Sequence, residues 1–405
     1  MVRDSASQAL QLLDLLPQIT ISLCIKEIPG ENTSADLRSY LVSKRPTSIL
    51  ITYNVSDTVE QILHQLGEKI SKPLDHAQFQ KDHVEGGYTS VSLKLLTHLE
   101  ESPCDLFLKM GKEGEDLKYL KRVNKLDPFP PNMIKDFEER GLKDLFVEIN
   151  NLELFMTCVS NNLVAELTKP DQNADQLIEA QSKAYDYIIN FSEALNFDKN
   201  VVEVVDTFVE TQISILKTQT SLAKLIQAVV SKKHSLSFQG LYLTCLMIHH
   251  ICRQLKVFSE QRMTKFTFVA LFCDLGLESK DLYLIKSNAE LLPLAAVLPP
   301  ADLDKLKNHA RKNADFLAQY PELPIEVLSI IRQHHGNPEG VGFIDEHNPM
   351  INEDTLLFMT ANTFIKYFLH PQYKFDKKEI LRIIGERFPH ERMKPYLEAL
   401  AAKID

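Results

Sequence analysis

The sequence predicts an α+β protein with a small α/β region at its N-terminus and helices after it. Two features of the chain lead to that reading. Before residue 150, short runs rich in Ile, Leu, Val and Phe, bounded by polar turns, alternate with helix-length segments. From about residue 151, apolar residues recur at three- and four-residue spacing, the period of a helix face. With 405 residues, the length suits two or three domains, each able to bury its own core. Apolar content of 44% and charged content of 25% are those of an ordinary globular protein. A net charge of −10 argues against a surface that coats polyanions, so no nucleic-acid partner is expected. A local basic pocket for one phosphodiester is compatible with it.

Taken in order, residues 1–80 hold two strand candidates, 19–25 and 48–53. The second leads into SDTVEQILHQLGEKI, where Ser56 or Asp57 suits the N-cap of an amphipathic helix. Strand–helix alternation and KPLD at Lys72–Asp75 resemble a signal-receiver domain. The segment is too short for five βα units and has no acidic cluster after its first strand, so a small α/β element describes it better. A break falls near 80–87. Residues 102–110 and 117–123 then read as strands joined by the polar turn GKEGED, followed by a helix at 131–140, Gly141 and a strand at 144–149. In layout this resembles the sensory or docking segment ahead of the output domain in some bacterial signalling proteins. The N-terminal region is therefore bounded at 1–150. Residues 151–230 form a helical connector whose segments 175–195 and 200–217 carry apolar stripes; they fit either an intramolecular bundle or a homodimer.

No run reaches the roughly eighteen apolar residues of a membrane span, and MVRDSASQALQLLDLLPQ lacks the layout of a secretory signal. The six cysteines, Cys24, Cys104, Cys158, Cys245, Cys252 and Cys273, show no CxxC pair or zinc-finger spacing. Scattered thiols in apolar segments suit a reducing cytoplasm.

Chemistry concentrates at IIRQHHGNPEGVGF, 330–343. An apolar helical segment ends in His334 and His335, and Gly336, Gly340 and Gly342 follow. Neutral imidazoles are common transition-metal ligands, and a glycine-rich turn lets backbone approach a ligand closely. A C-cap glycine after histidines that suit the negative end of a helix dipole is the structural alternative.

Extended outward, LPIEVLSIIRQHHGNPEGVGF resembles the HHExxDGxGYP region of HD-GYP domains, bacterial all-helical metal phosphohydrolases that cleave cyclic di-GMP. NHARKNADFLAQYPELP is similar to the segment in which a histidine, here His309, leads toward the double histidine. FTFVALFCDLGL sits where the HD-x-GK signature follows an apolar helix, and His234 in KKHSLSF takes the place of the first ligand histidine. LLFMTANTFIKYF is similar to the helix that supplies a last metal-binding aspartate. The resemblance covers about 232–400 and implies an all-α domain over 231–405.

It implies metal ligands at His234, Asp274, His309, His334 and His335, with Asp274 as the catalytic bridging carboxylate and Gly340, Gly342 and Phe343 holding substrate. Several positions depart from the pattern. The histidine before the aspartate is Cys273, the lysine is Leu277, and the final aspartate falls on Asn362, a neutral donor. Cys273 reads either as a thiolate ligand or as a small core residue. His234 lies 40 residues before Asp274, longer than usual by about two helical turns, which leaves His249 or His250 as the alternative imidazole. Leu277, Cys273 and Asn362 together imply a weakened centre, with at most one well-held divalent ion (iron, manganese or zinc), or none. The reading is a cytoplasmic bacterial signalling protein with a degenerate HD-GYP-like domain that binds a protein partner or cyclic di-GMP with weak or absent hydrolysis. The alternative is an active cyclic di-GMP phosphodiesterase that uses Cys273 as an unusual ligand.

Overall fold

The computed structural model describes residues 87–403, apart from 98, 111–117, 130, 196, 219–220, 278–279, 344–350, 374–375 and 388–390, together with 21–25, 37, 49–53 and 84–85. The chain divides into two units, Met1–Glu85 and Gly86–Asp405. In the first, β1 (Ile21–Ile25) and β2 (Ile49–Tyr53) are parallel neighbours, in register from Ile21 opposite Ile49 to Ile25 opposite Tyr53. Both coincide with expected strands. The helix start at Ser56 or Asp57, the KPLD segment and the GKEGED turn lie outside the described residues.

The second unit opens with β3 (Tyr88–Ser92), β4 (Leu106–Met110), β5 (Lys118–Val123) and β6 (Asp144–Glu148). They lie side by side as β3-β6-β4-β5, antiparallel throughout, with a register shift at Leu106/Phe107 in the β4–β5 pair. Alternation places Val91, Leu145 and Val147 in the core while their neighbours Ser90, Ser92 and Phe146 are half-buried. Two short helices, α1 (Leu93–Leu96) and α2 (Pro131–Glu139), pack together beside it.

The rest is helical, so the chain is mixed α+β and mostly helix. Residues 151–230 form α3 (Ile149–Thr168), α4 (Ala174–Leu195), α5 (Lys199–Thr218) and α6 (Leu222–Ser231). Their apolar stripes, including Phe155, Tyr187, Val204 and Phe208, are fully buried and belong to the same core as the helices that follow. The Tyr320 hydroxyl donates to Asp206 on α5 at 2.6 Å, and the Phe197 ring meets Phe272 edge-on.

At the centre stands α7 (Leu236–Gln254), apolar on nearly every side and buried from Ser237 to Cys252 except at Gln239. Around it come α8 (Glu260–Phe272), α9 (Lys280–Tyr283), α10 (Asn288–Ala295), α11 (Pro300–Leu317), α12 (Ile325–Gln333), α13 (Glu353–Phe368), α14 (Lys377–Arg387) and α15 (Lys394–Ala401). Helices α8, α13 and α15 pack on α7, while α12 packs between α11 and α8. Local chemistry sets the starts: Ser235, Ser259, Ser287 and Asn352 each accept a hydrogen bond from the N–H three residues on. The ends of α8 and α12, the middle of α11 and the second half of α13 meet at one place.

Candidate metal centre

Along α11 the buried residues are Leu306, His309, Ala310, Asn313, Ala314 and Leu317, so His309 sits in the stripe that turns to the core. Its Nδ1 is 2.7 Å from the Leu306 carbonyl. A carbonyl only accepts, so Nδ1 carries the proton and Nε2 presents its lone pair. His334 caps α12 and repeats the device, with Nδ1 2.6 Å from the Ile331 carbonyl. His334 Nε2 lies 3.3 Å from His309 Nε2, and His335 Nε2 lies 2.9 Å from His309 Nε2.

Asp274 follows the end of α8. The Leu277 N–H donates to the Asp274 carbonyl at 3.0 Å across a turn in which Gly276 takes φ +83. Asn313, four residues after His309 on the same face, donates to the carbonyls of Cys273 at 3.0 Å and Leu275 at 3.1 Å. One helix thus supplies an imidazole and clamps the turn bearing the carboxylate. Asp274 Oδ1 is 3.6 Å from His309 Nε2 and 3.7 Å from His334 Nε2. The ligand atoms of Asp274, His309, His334 and His335 all lie within 4.8 Å of one another, the one such cluster found among the described residues.

Electrostatics fit a cation. Burial alone would raise the Asp274 carboxyl, but the Lys366 ammonium beside it outweighs that and holds the group ionised. Burial, then the neighbouring His334, push His309 down to about 3. The same causes, with His309 added, carry His335 well below the ordinary range. His309 and His335 are therefore neutral at physiological pH, the state in which imidazole binds metal.

Donor type and spacing also fit. Atoms bound to one first-row ion at about 2.1 Å stand roughly 3.0–3.4 Å apart at octahedral to tetrahedral angles. The imidazole separations are already of that size, and the carboxylate oxygen is a few tenths of an ångström outside it. Two lone pairs aimed at each other across 3.3 Å are unfavourable without a positive centre near both. Backbone carbonyls that fix the other ring nitrogen are the usual second partners of ligating histidines. Nitrogen donors with one carboxylate suit zinc, iron or manganese.

The remaining candidates fall elsewhere. His234, between α6 and α7, faces the Ser182 hydroxyl at 3.1 Å and is not in the cluster. Neither are His249, which accepts from Arg253 at 3.4 Å, and His250, whose Nε2 is 3.0 Å from the Ala399 carbonyl. Cys273 is also outside the four; its thiol points to the Ala270 carbonyl, and burial, with Asp274 alongside, pushes its pKa well up. Asn362 is buried and accepts from Thr244 at 3.5 Å. Leu277 lies in a small apolar cluster with Leu282, Ile285, Leu291, Leu306 and Phe343.

The glycine loop docks on α11. Gly340 accepts from the Arg311 N–H at 3.1 Å, and the Gly342 N–H donates to the Lys307 carbonyl at 2.6 Å, so the loop is stitched to the turn bearing His309. Gly340 has φ +69, and an added Cβ would lie 3.0 Å from the Arg311 nitrogen. Phe343 is buried, its ring 4.4 Å from that of His335.

Two residues at the centre escaped the sequence reading. Asn313 had a usable signal in its four-residue spacing from His309. Lys366 had another: a lone lysine in the apolar run LLFMTANTFIKYF. Its Nζ lies 2.9 Å from Asp274 Oδ2 and 3.0 Å from Oδ1.

Comparison with family models gives no match, and comparison with curated proteins gives none. Among solved structures, the chain is similar to Bd1817, a HDG"Y"P protein from Bdellovibrio bacteriovorus, with 16% identity and a TM-score of 0.47, over 78% of this chain and 100% of that one.

Proposed function

We propose that the C-terminal helices act as a metal-binding signalling module. It holds one divalent transition-metal ion on His309, His334, His335 and Asp274, and it binds a protein partner or cyclic di-GMP with weak or absent hydrolysis. One observation carries this reading: the ligand atoms of three imidazoles and one half-buried carboxylate lie within 4.8 Å of one another, and two of the imidazoles have their Nε2 lone pairs fixed inward by backbone carbonyls. Such an ion, when bound, would polarise a phosphoryl oxygen as a Lewis acid.

The chain's own residues support binding over turnover. Asn362 offers a neutral amide already engaged with Thr244, and Cys273 keeps its thiol on a carbonyl of its own helix. Two small cavities border the centre, one lined by Asp274, Cys273, Tyr283 and Asn362, the other by His334, His335, Lys286 and Arg387. Each is about 10 Å³, room for roughly one water, so a partner or nucleotide would have to bind outside them.

The test combines metal analysis of the purified chain with cyclic di-GMP binding and hydrolysis assays. One metal per chain without turnover is expected. Two metals with EDTA-sensitive turnover would establish the phosphodiesterase instead, and no metal would remove the centre.

A further inference from the structure

We propose that Lys366 is a built-in countercation for the Asp274 carboxylate and that it makes this centre mononuclear. The inference rests on the metal centre proposed above and assigns the residue that limits it to one ion.

Lys366 is 2% exposed, on an α13 turn between Ile365 and Tyr367. A buried ammonium persists only where charge and hydrogen bonds compensate its lost hydration. Asp274 supplies both, and the Tyr283 ring, its centroid 5.0 Å from Nζ, adds a cation–π contact. The ammonium straddles the carboxylate, 2.9 Å from Oδ2 and 3.0 Å from Oδ1, while Oδ1 also faces His309 and His334 at 3.6 and 3.7 Å.

A carboxylate bridges two metal ions only when an oxygen is free for the second. Here the ammonium already lies against both oxygens, and a further divalent ion would have to settle beside a fixed positive charge. Nor would the surroundings compensate. Besides Asp274 and the Cys273 thiol, the polar side chains lining the water-sized cavity are Tyr185, Ser237, Thr244, Tyr283 and Asn362, with no second carboxylate among them. Asn362 stands one helical turn before Lys366, so α13 turns an amide and a cation toward a place where a second metal would require anions.

The test compares the wild type, Lys366→Met and the double variant Lys366→Met/Asn362→Asp, each stripped with EDTA and titrated with Mn²⁺. Readouts are metal per chain, thermal melting with and without Mn²⁺, and the EPR spectrum of the loaded protein. The wild type is expected to bind one ion and to give an uncoupled Mn²⁺ spectrum at any loading. Stripped Lys366→Met is expected to melt lower than stripped wild type and to gain more on Mn²⁺ addition, because Asp274 then depends on the metal for its countercharge. The double variant is expected to bind a second ion.

A spin-coupled pair in the wild type overturns the role of Lys366 while leaving the centre standing, and this readout needs no variant to fold. Variants with one ion and the wild-type metal response overturn it as well. A wild type that binds no metal overturns the centre itself, and the inference with it.

Discussion

Acid should destabilise the metal-free protein in a way that traces to His309. The imidazole is 2% exposed, and burial together with His334 lowers its pKa to about 3, against about 6.5 in an unfolded chain. Between those values the unfolded state binds the proton and the native state does not, so stability rises with pH across that window and falls as pH drops below 6.5. Above 6.5 the group is neutral in both states and contributes no slope. At pH 5 the gap is about 1.5 pH units, worth about 2 kcal/mol for this one histidine. Against a typical total of about 5–15 kcal/mol that is a large share. The assay is urea unfolding with EDTA at pH 7.5 and pH 5.0, for the wild type and for His309→Gln. The variant, which has no proton to take up there, should lose at least 2 kcal/mol less between the two pH values, to order of magnitude. His335 adds to the difference, because His309 is among the groups that depress it. Equal pH dependence in the two proteins would refute a neutral, buried His309, and with it the donor state that metal binding requires.

Three further perturbations address the supports of the centre. His335→Ala should lower bound metal measured after desalting, and unchanged occupancy would put the metal elsewhere. Asn313→Ala leaves the Cys273 and Leu275 carbonyls without their shared donor. It should cost about 1–3 kcal/mol in urea melts and weaken metal binding roughly 10–100-fold in titrations. Gly240→Ala should destabilise by about 1–3 kcal/mol through overpacking, although a helix-interior alanine is normally favoured over glycine by up to about 1 kcal/mol. An added Cβ would stand 1.6 Å from the Tyr283 hydroxyl, so Tyr283→Phe in the same chain should recover part of the loss.

The helices and most strands were legible because they rest on local signals. Runs 19–25, 48–53, 102–110, 117–123 and 144–149 each contain an observed strand, and serine or asparagine caps open four of the helices around the site. Asp274, His309, His334 and His335 were legible for a related reason. Each lies in or just after a helix whose apolar period turns it inward, and a histidine pair before a positive-φ glycine is visible in one dimension. What the sequence could not carry was distance between helices. His234 lies just ahead of α7, yet whether its ring meets the other imidazoles depends on how α4 packs alongside, and there the Ser182 hydroxyl takes it up. Residues 151–230 read equally as a bundle or as a dimer surface, since a helical stripe records that a face is covered and not by which chain. Here those helices share the core of the site-bearing ones.

Lys366 shows where composition and chemistry part. Two adjacent positions on one helix face decide the charge next to Asp274, and only Asn362 attracts notice when metal ligands are sought by residue type. A lysine flanked by Ile365 and Tyr367 reads in sequence as an interruption of an apolar helix, and its usual fate is to reach solvent along its own stem. Burial at 2% excludes that route, so the ammonium must meet a carboxylate, and the described contacts give it Asp274. Isolated charges inside buried apolar runs are therefore the place to look for partners of a metal-site carboxylate. Their cost of burial requires a counterion, and a carboxylate whose charge is already shared with an ammonium has less of it to offer to metal ions.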